Sequence, residues 1–450
     1  GRPMQRCHPL TTAGLDLQAS REASPSGLAI ADLRCSERFA TEVRCGNRSY
    51  LFSRHDMGDH RWFETLVRTA QPGQPYSAAS VGIGHAFLMS HNAAIICRVG
   101  RLHAYGGMSH NPRGADWHGG DVGIMHSVAE AGAPPLVWST PKLVVSGKPA
   151  TGCVDEVKEG PECEFDGKVS AVRYRGEVLL FTRSNLSNKG GARHVQVTRS
   201  RDGVSGWSRF EQLSFDGLRG IGQREAACDG LPQSSCVGQS EANIYFLALR
   251  VLPGEADGGG GSSSGGAGGR RGAVLFGLFP GHLGGEAGVF GCTSHDGVRW
   301  SRPVRLLASV AEAHWRTRDY PLDGSLLPQL APEAPSAATG PATGAAAGPA
   351  VRDGVRLVVQ LGVDLRDYHA DAPQCMRGEE VITCAEPPPR PSTMDTDCAS
   401  KPGLGASSFC AYVLSGARLR AMRAPAAALP TSRSRPRPRR ARHGKIARLR

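Results

Sequence analysis

The chain has 450 residues, of which 40% are hydrophobic and 21% charged, and its formal net charge is +12 at pH 7. No stretch approaches the roughly 18 consecutive apolar residues that a membrane-spanning helix needs, so we expect no transmembrane segment. Much of the positive excess lies in the last 20 residues. This distribution predicts a basic tail, drawn to polyanions or membrane surfaces, and no specific nucleic-acid partner.

Two short segments of the sequence are near copies of each other. Both read Ser-x-Asp-Gly before a Trp-Ser pair, one around Asp202 and the other around Asp296. Because Asp-Gly between apolar runs is typical of a tight turn, we interpret both aspartates as turn residues without a catalytic part. The tryptophans of the two copies are expected to pack between sheets. Looser copies end at Trp138 and near Trp62.

A polar residue heads a short apolar run at four places, with intervals of 74, 75 and 82 residues: Asn92, Asp166, Glu241 and Asp323. Each repeat contains about four strand-like runs, and helical periodicity is hard to find. The sequence therefore predicts an all-β fold, a five-bladed β-propeller of four-stranded antiparallel blades, in which the two ends of the domain complete one shared blade.

The composition also divides the chain. We expect the propeller to occupy residues 36–423, after an N-terminal extension over 1–35 and before a disordered basic tail over 424–450. The Gly-rich stretch near 255–272 and the Ala/Pro-rich stretch near 331–350 are interpreted as flexible insertions.

Cysteine spacing favours disulfides, because short polar loops separate three pairs. The predicted pairs are Cys35 with Cys45, Cys153 with Cys163, and Cys228 with Cys236. We interpret Cys97, Cys292 and Cys410, which lie in apolar runs, as small buried hydrophobes.

Two sequons, at Asn47 and Asn185, agree with passage through a secretory pathway. We therefore expect a secretory or extracellular glycoprotein. Histidines and acids cluster between His55 and His118 without regular ligand spacing, and there is no C-x-x-C pair, so we expect no metal and no cofactor.

The Ser-x-Asp-Gly turns and the acidic strand heads together resemble the five-bladed propellers of glycoside hydrolase families 32 and 43 and the related mannoside phosphorylases. The turns also resemble the Asp-boxes of sialidases. The resemblance covers roughly residues 36–420 and implies a carbohydrate substrate or ligand.

The inner strands of a propeller line its central channel, so Asp166, Glu241 and Asp323 are expected to converge at one mouth. Glycoside cleavage needs two carboxyl groups, one protonated and one ionised. The resemblance implies that Glu241 is the acid, that Asp166 stabilises the transition state or modulates a pKa, and that Asp323 is a sugar ligand or the base.

Asn92 departs from the hydrolase pattern, which has an aspartate at that strand head; an amide can neither ionise nor attack. In the resembled phosphorylases an asparagine lies near the first strand and phosphate attacks, so His91, Arg183, Arg193 and His194 would supply an anion site. Asn243 is a further candidate sugar ligand. Two alternatives stay open: a propeller that binds glycans without cleaving them, and one that binds proteins.

Overall fold

The structure is a computed structural model. The described residues are 37–56, 63–71, 76–77, 80–83, 93–107, 123–155, 163, 165, 167–185, 193–216, 218, 242–252, 272–283, 286–308, 311–313, 316–317, 320–324, 327–328, 354–361, 374–377, 380–383, 408–415 and 422.

Within the described residues, five larger sheets follow one another along the chain. The first contains β1 (Glu37–Cys45), β2 (Arg48–Asp56), β3 (Phe63–Ala70) and β4 (Ser80–Ile83). The second contains β5 (Ala94–Arg98), β6 (Arg101–Gly107), β7 (Gly123–Glu130) and β8 (Lys142–Ser146). The third contains β9 (Ser170–Tyr174), β10 (Glu177–Asn185), β11 (Arg193–Ser200) and β12 (Glu211–Gln212).

The fourth sheet has seven strands: β13 (Ser214–Phe215), β14 (Ala242–Ile244), β15 (Ala248–Leu252), β16 (Val274–Leu283), β17 (Glu286–Ser294), β18 (Arg299–Trp300) and β19 (Val304–Ala308). The fifth has β22 (Tyr320–Pro321), β23 (Leu327–Pro328), β24 (Gly354–Leu361) and β27 (Ser408–Ser415). Two small hairpins pair β20 (Ala311–Ala313) with β21 (Arg316–Thr317), and β25 (Gln374–Arg377) with β26 (Glu380–Thr383).

Neighbouring strands are antiparallel within these sheets, except that β13 runs parallel to β18. Besides strands, the described residues include a 3-10 turn over Pro149–Thr151 and helical backbone at Met422. The prediction of an all-β fold is confirmed.

Apolar side chains are buried between successive sheets. One cluster joins Phe52 of the first sheet to Ile95 of the second, and another joins Ile96 of the second to Leu180 of the third. A third joins the third sheet to the fourth, and a fourth joins the fourth to the fifth. Leu322, beside β22, packs with Leu51 of the first sheet, so the fifth sheet also meets the first.

The inner strands of successive sheets also contact one another. β5 lies beside both β1 and β9, and β9 also lies beside β15. Asp323 completes the circle. Its backbone forms a parallel bridge with Thr41 of β1, and its carboxylate accepts a hydrogen bond from the Leu249 N–H of β15 at 2.9 Å.

The repeated turns share one pattern of hydrogen bonds. A serine N–H donates to a carbonyl on β3, β7, β11 or β17, and the serine Oγ accepts from the N–H of the same residue. The pairs are Ser77 with Thr69, Ser139 with Val128, Ser208 with Arg199, and Ser301 with Thr293; each serine donates at 2.8 Å.

The residue before each serine is aromatic and packs between its own sheet and a neighbouring one: Tyr76, Trp138, Trp207 and Trp300. The expected packing of the tryptophans of the two near copies is confirmed. The predicted copy near Trp62 lies outside the described residues. In the first sheet Tyr76-Ser77 forms the same hydrogen bonds, and the tyrosine fills the same intersheet position.

Asp202 and Asp296 are turn residues, as predicted. Asp296 Oδ1 accepts hydrogen bonds from the N–H groups of Val298 at 2.8 Å and Arg299 at 2.7 Å. Asp202 Oδ1 makes the same two bonds with the next turn residues, both at 2.8 Å. Gly297 has a φ of 82°, and a Cβ there would lie 2.7 Å from Leu179 of the third sheet. The turn therefore needs glycine for both its conformation and its close packing.

Two disulfides lie in the described residues. The Cys153–Cys163 bond confirms one prediction. The Cys35–Cys45 prediction is wrong, because Cys45 bonds Cys97 across the neighbouring strands β1 and β5, where the two Cα atoms are 5.3 Å apart. Cys97 is therefore not the isolated hydrophobe expected.

Among the remaining cysteines, Cys292 is free and buried, as predicted. The Cys228–Cys236 pair lies outside the described residues, and so does the side chain of Cys410. The asparagines of the two predicted glycosylation sequons differ in exposure. Asn47 is exposed at the β1–β2 turn, whereas Asn185 is buried in β10 and donates from Nδ2 to Asp155 Oδ1 at 3.1 Å.

Candidate functional site

Lys168 lies where the inner ends of the sheets meet. Its side chain is buried, with 2% of the residue exposed. Nζ donates to Thr41 Oγ1 at 2.5 Å and to the Ala93 carbonyl at 3.2 Å, and lies 3.5 Å from Asp323 Oδ2. Burial lowers the pKa of Lys168, and the Asp323 carboxylate opposes this shift by favouring the ammonium. One side chain thus contacts three other segments of the ring.

Asp323, a predicted site carboxylate, is held on both oxygens. Oδ2 faces the Lys168 ammonium and Oδ1 accepts the Leu249 N–H, and only 3% of the residue is exposed. A carboxylate in this position is well placed to fix its neighbours. Its part in sugar chemistry stays a prediction.

A second pair of opposite charges lies close to this ion pair. The Tyr76 hydroxyl donates to Glu42 Oε1 at 2.6 Å, and Glu42 is buried. Burial lowers the pKa of Arg250 on β15, while the charges of Glu42 and Asp323 act to raise it. Among the described residues, Glu42 and Arg250 thus add further buried charges of both signs beside the ion pair of Lys168 and Asp323.

Gly167 precedes Lys168 in the chain and packs against Arg183, one of the predicted site arginines. Its φ is 118°, and a Cβ there would lie 3.1 Å from Nε of Arg183. Any other residue would strain the backbone and bring its Cβ into tight contact with the guanidinium. Gly167 directly follows Asp166 and directly precedes Lys168 in the chain, so the strand head is held at two successive residues.

Arg183 and Arg193 converge on one aromatic ring. The Cζ atoms of both lie 5.5 Å from the ring centroid of Tyr245, which is cation–π distance. Arg183 pairs with Val195 across β10 and β11, and Arg193 pairs with Asn185, which places both arginines on the same face of the third sheet.

Tyr245 itself belongs to a stack of aromatic rings. Its centroid lies 5.8 Å from that of Tyr320 and 6.2 Å from that of Phe39, and the Phe39 and Tyr320 rings stack at 5.1 Å. Tyr245 is half-buried. Tyr320 and Phe39 are buried beneath it, so Tyr245 is the partly exposed ring of the three and the one that both guanidinium groups face.

Asn243 is close to Tyr245 in sequence and is 1% exposed. Among the described residues, neither its Oδ1 nor its Nδ2 has a hydrogen-bond partner. A buried amide without partners is costly, so a ligand or water is expected to satisfy it.

His194 is not brought together with the arginines. It pairs with Ser184 and therefore points to the opposite face of the sheet. Its Nδ1 lies 3.1 Å from Gln212 Oε1 and 3.0 Å from the Val195 carbonyl. Burial lowers its pKa to about 4, against the opposing effect of these two hydrogen bonds. Strand alternation therefore turns His194 away from Arg183 and Arg193, and its role in an anion site stays a prediction.

Asp166, Glu241, His91 and Asn92 lie outside the described residues, and their roles stay predictions. Sequence reasoning missed Lys168, Thr41, Glu42 and Tyr245. The available signal was a lysine directly after Asp166-Gly167 at the head of an otherwise apolar strand.

Within the described segments, no group of three or more His, Cys, Asp or Glu side chains could hold a metal ion, and no helix is long and apolar enough to cross a membrane. No protein-family model and no curated protein matches the sequence.

Several solved structures are similar to the chain at low identity. A family 117 glycoside hydrolase of Zobellia galactanivorans is 10% identical with a TM-score of 0.40, over 87% of this chain and 90% of that one. The catalytic domain of a family 62 α-L-arabinofuranosidase of Coprinopsis cinerea is 11% identical with a TM-score of 0.39, over 75% and 88%. A family 43 enzyme of Xanthomonas citri is 10% identical with a TM-score of 0.40, over 73% and 83%.

Proposed function

We propose that the chain is a five-bladed β-propeller that acts on a carbohydrate at its central funnel. The ring of β1, β5, β9, β15 and Asp323 supports the count of five. The apolar clusters between successive sheets, which include the contact of the fifth sheet with the first, support closure of the ring.

One observation supports the carbohydrate site most directly. Arg183 and Arg193 converge on Tyr245, which packs with the rings of Phe39 and Tyr320, at the strand end where Gly167 packs on Arg183. Aromatic faces and convergent donors are what a sugar ring requires. With Asn243, His91 and Asn92, these arginines would contact the hydroxyls or an anionic group of the substrate.

For the chemistry, we propose Glu241 as the general acid and Asp166 as the second carboxylate. Asp323 takes the remaining role in this scheme, that of a tuning and positioning group, because both of its oxygens are already engaged. Phosphate or water would attack the sugar. The disulfides agree with the proposed passage through a secretory pathway.

The test is a panel of aryl glycosides and oligosaccharides, assayed with and without phosphate. Glu241→Gln should lower kcat by about 10²- to 10⁴-fold while sugar affinity changes little, because the amide keeps the shape and loses the proton. Glu130→Gln, at an exposed residue of β7, is the matched control and should leave kcat unchanged. Equal activity of Glu241→Gln and the parent chain would remove Glu241 as the acid.

A second candidate function is glycan binding without cleavage. The engagement of Asp323 with Lys168 and Leu249 favours it, since this leaves one fewer carboxylate for catalysis. In that case calorimetry would detect oligosaccharide binding that Arg183→Met and Arg193→Met weaken, while no glycoside in the panel is cleaved. A protein-binding propeller would show neither sugar binding nor cleavage.

A further inference from the structure

Burial of the Lys168 side chain carries a large desolvation free energy. Moving an ammonium out of water costs several kcal/mol even after the protein relaxes, and an apolar residue of similar volume often stabilises a core better than a buried ion pair does. The lysine nevertheless lies at the centre of the ring with 2% of its surface exposed. A buried ion pair of this kind is better explained by geometric specificity than by stability.

The contacts of Lys168 join specific atoms of separate sheets. Its Nζ reaches Thr41 of the first sheet, the Ala93 carbonyl beside the second, and Asp323, which also bonds Leu249 of the fourth. The ammonium and its partner carboxylate therefore set the relative positions of the inner strands of several sheets.

Lys168 and the preceding Gly167 both pack against other parts of the ring. The backbone of Gly167 packs on the Arg183 guanidinium, and the next side chain, that of Lys168, is held by Thr41 and Asp323. Two successive anchors leave this strand head little freedom. The candidate carboxylate Asp166 is the residue just before them.

We propose that Lys168 is a positioning residue: through its buried contacts with Asp323, Thr41 and Ala93 it closes the ring of sheets and fixes the strand head that bears Asp166. The ring-closing part stands on the contacts alone. The effect on catalysis rests on the proposed function.

The first test is a double-mutant cycle in urea with Lys168→Met, Asp323→Asn and the combined variant. Lys168→Met leaves a buried carboxylate unpaired and should raise the unfolding equilibrium constant by about two to three orders of magnitude. The combined variant should reverse most of that increase, because no unpaired charge remains. Lys142→Met, at an exposed lysine of β8, is the matched control. Additive effects within about twofold would overturn the ion-pair role.

If Lys168→Met does not fold, Thr41→Val provides a milder version, since it removes only a neutral acceptor. Amide exchange in native buffer then reports on peptides that cover residues 165–172. We expect exchange there to rise at least tenfold in Thr41→Val, while peptides from β16 and β17 change little. Unchanged exchange at the strand head would overturn the proposal.

The final readout separates positioning from stability. The combined variant should regain its unfolding equilibrium constant, but the pH profile of kcat/KM toward any cleaved aryl glycoside should stay displaced from that of the parent chain. Recovery of both properties would make the role of Lys168 purely structural and overturn the catalytic part. If the parent chain cleaves no glycoside, the proposed function fails, while the cycle and the exchange data still decide the ring-closing part.

Discussion

The disulfide between Cys45 and Cys97 provides a direct test of how the sheets are joined. It connects the end of β1 to β5, so it crosses from the first sheet to the second. Replacing both cysteines with alanine removes the cross-link and leaves two small apolar side chains in place. We expect this double variant to unfold at lower urea concentration than the parent chain.

The size of the effect follows from the length of chain between the cysteines. The bond spans 52 residues, for which the chain-entropy relation gives about 4 kcal/mol at 25 °C. The Cys153–Cys163 bond spans only 10 residues, and the same relation gives about 2.7 kcal/mol. The difference of about 1.4 kcal/mol corresponds to about tenfold in the unfolding equilibrium constant.

The assay is urea unfolding of both double-alanine variants under non-reducing conditions, followed by fluorescence. Peptide mapping of the parent chain without reduction should recover a cross-linked peptide that contains Cys45 and Cys97. Recovery of Cys45 joined to Cys35, or a Cys45/Cys97 variant at least as stable as the Cys153/Cys163 variant, would refute the arrangement of β1 beside β5.

Two further predictions concern pH. Burial raises the pKa of Asp296, but hydrogen bonds from the Arg299 and Val298 N–H groups lower it overall; its stabilisation is present above about pH 4 and lost at lower pH. Asp296→Ala should therefore cost about 1–3 kcal/mol at pH 7 and much less at pH 2, measured by urea unfolding. Since burial lowers the pKa of His194 to about 4, the stabilisation it provides is complete above about pH 6.5 and falls by about 3 kcal/mol toward pH 4. His194→Gln should flatten that decline, whereas the exposed His295→Gln should not; equal slopes would contradict the burial of His194.

The local features were readable from the sequence because their partners are close in the chain. The turn at Asp296 is built from N–H groups two and three residues ahead, so a short motif contains all its hydrogen bonds. The disulfide between Cys153 and Cys163 closes a loop of the same local kind. Repetition of such motifs was enough to predict strands, turns and a repeated all-β architecture.

Tertiary structure alone decided the features that join distant segments. Cys45 is 10 residues from Cys35 and 52 from Cys97, yet it bonds Cys97, because neighbouring inner strands bring their Cα atoms within bonding distance. Arg193 and His194 are adjacent on one strand and therefore point to opposite faces, but only the register with β10 shows that Arg193 is the one that shares a face with Arg183. Lys168 could not be assigned from its own surroundings in the chain, because Thr41, Ala93 and Asp323 become its neighbours only when the ring of sheets closes.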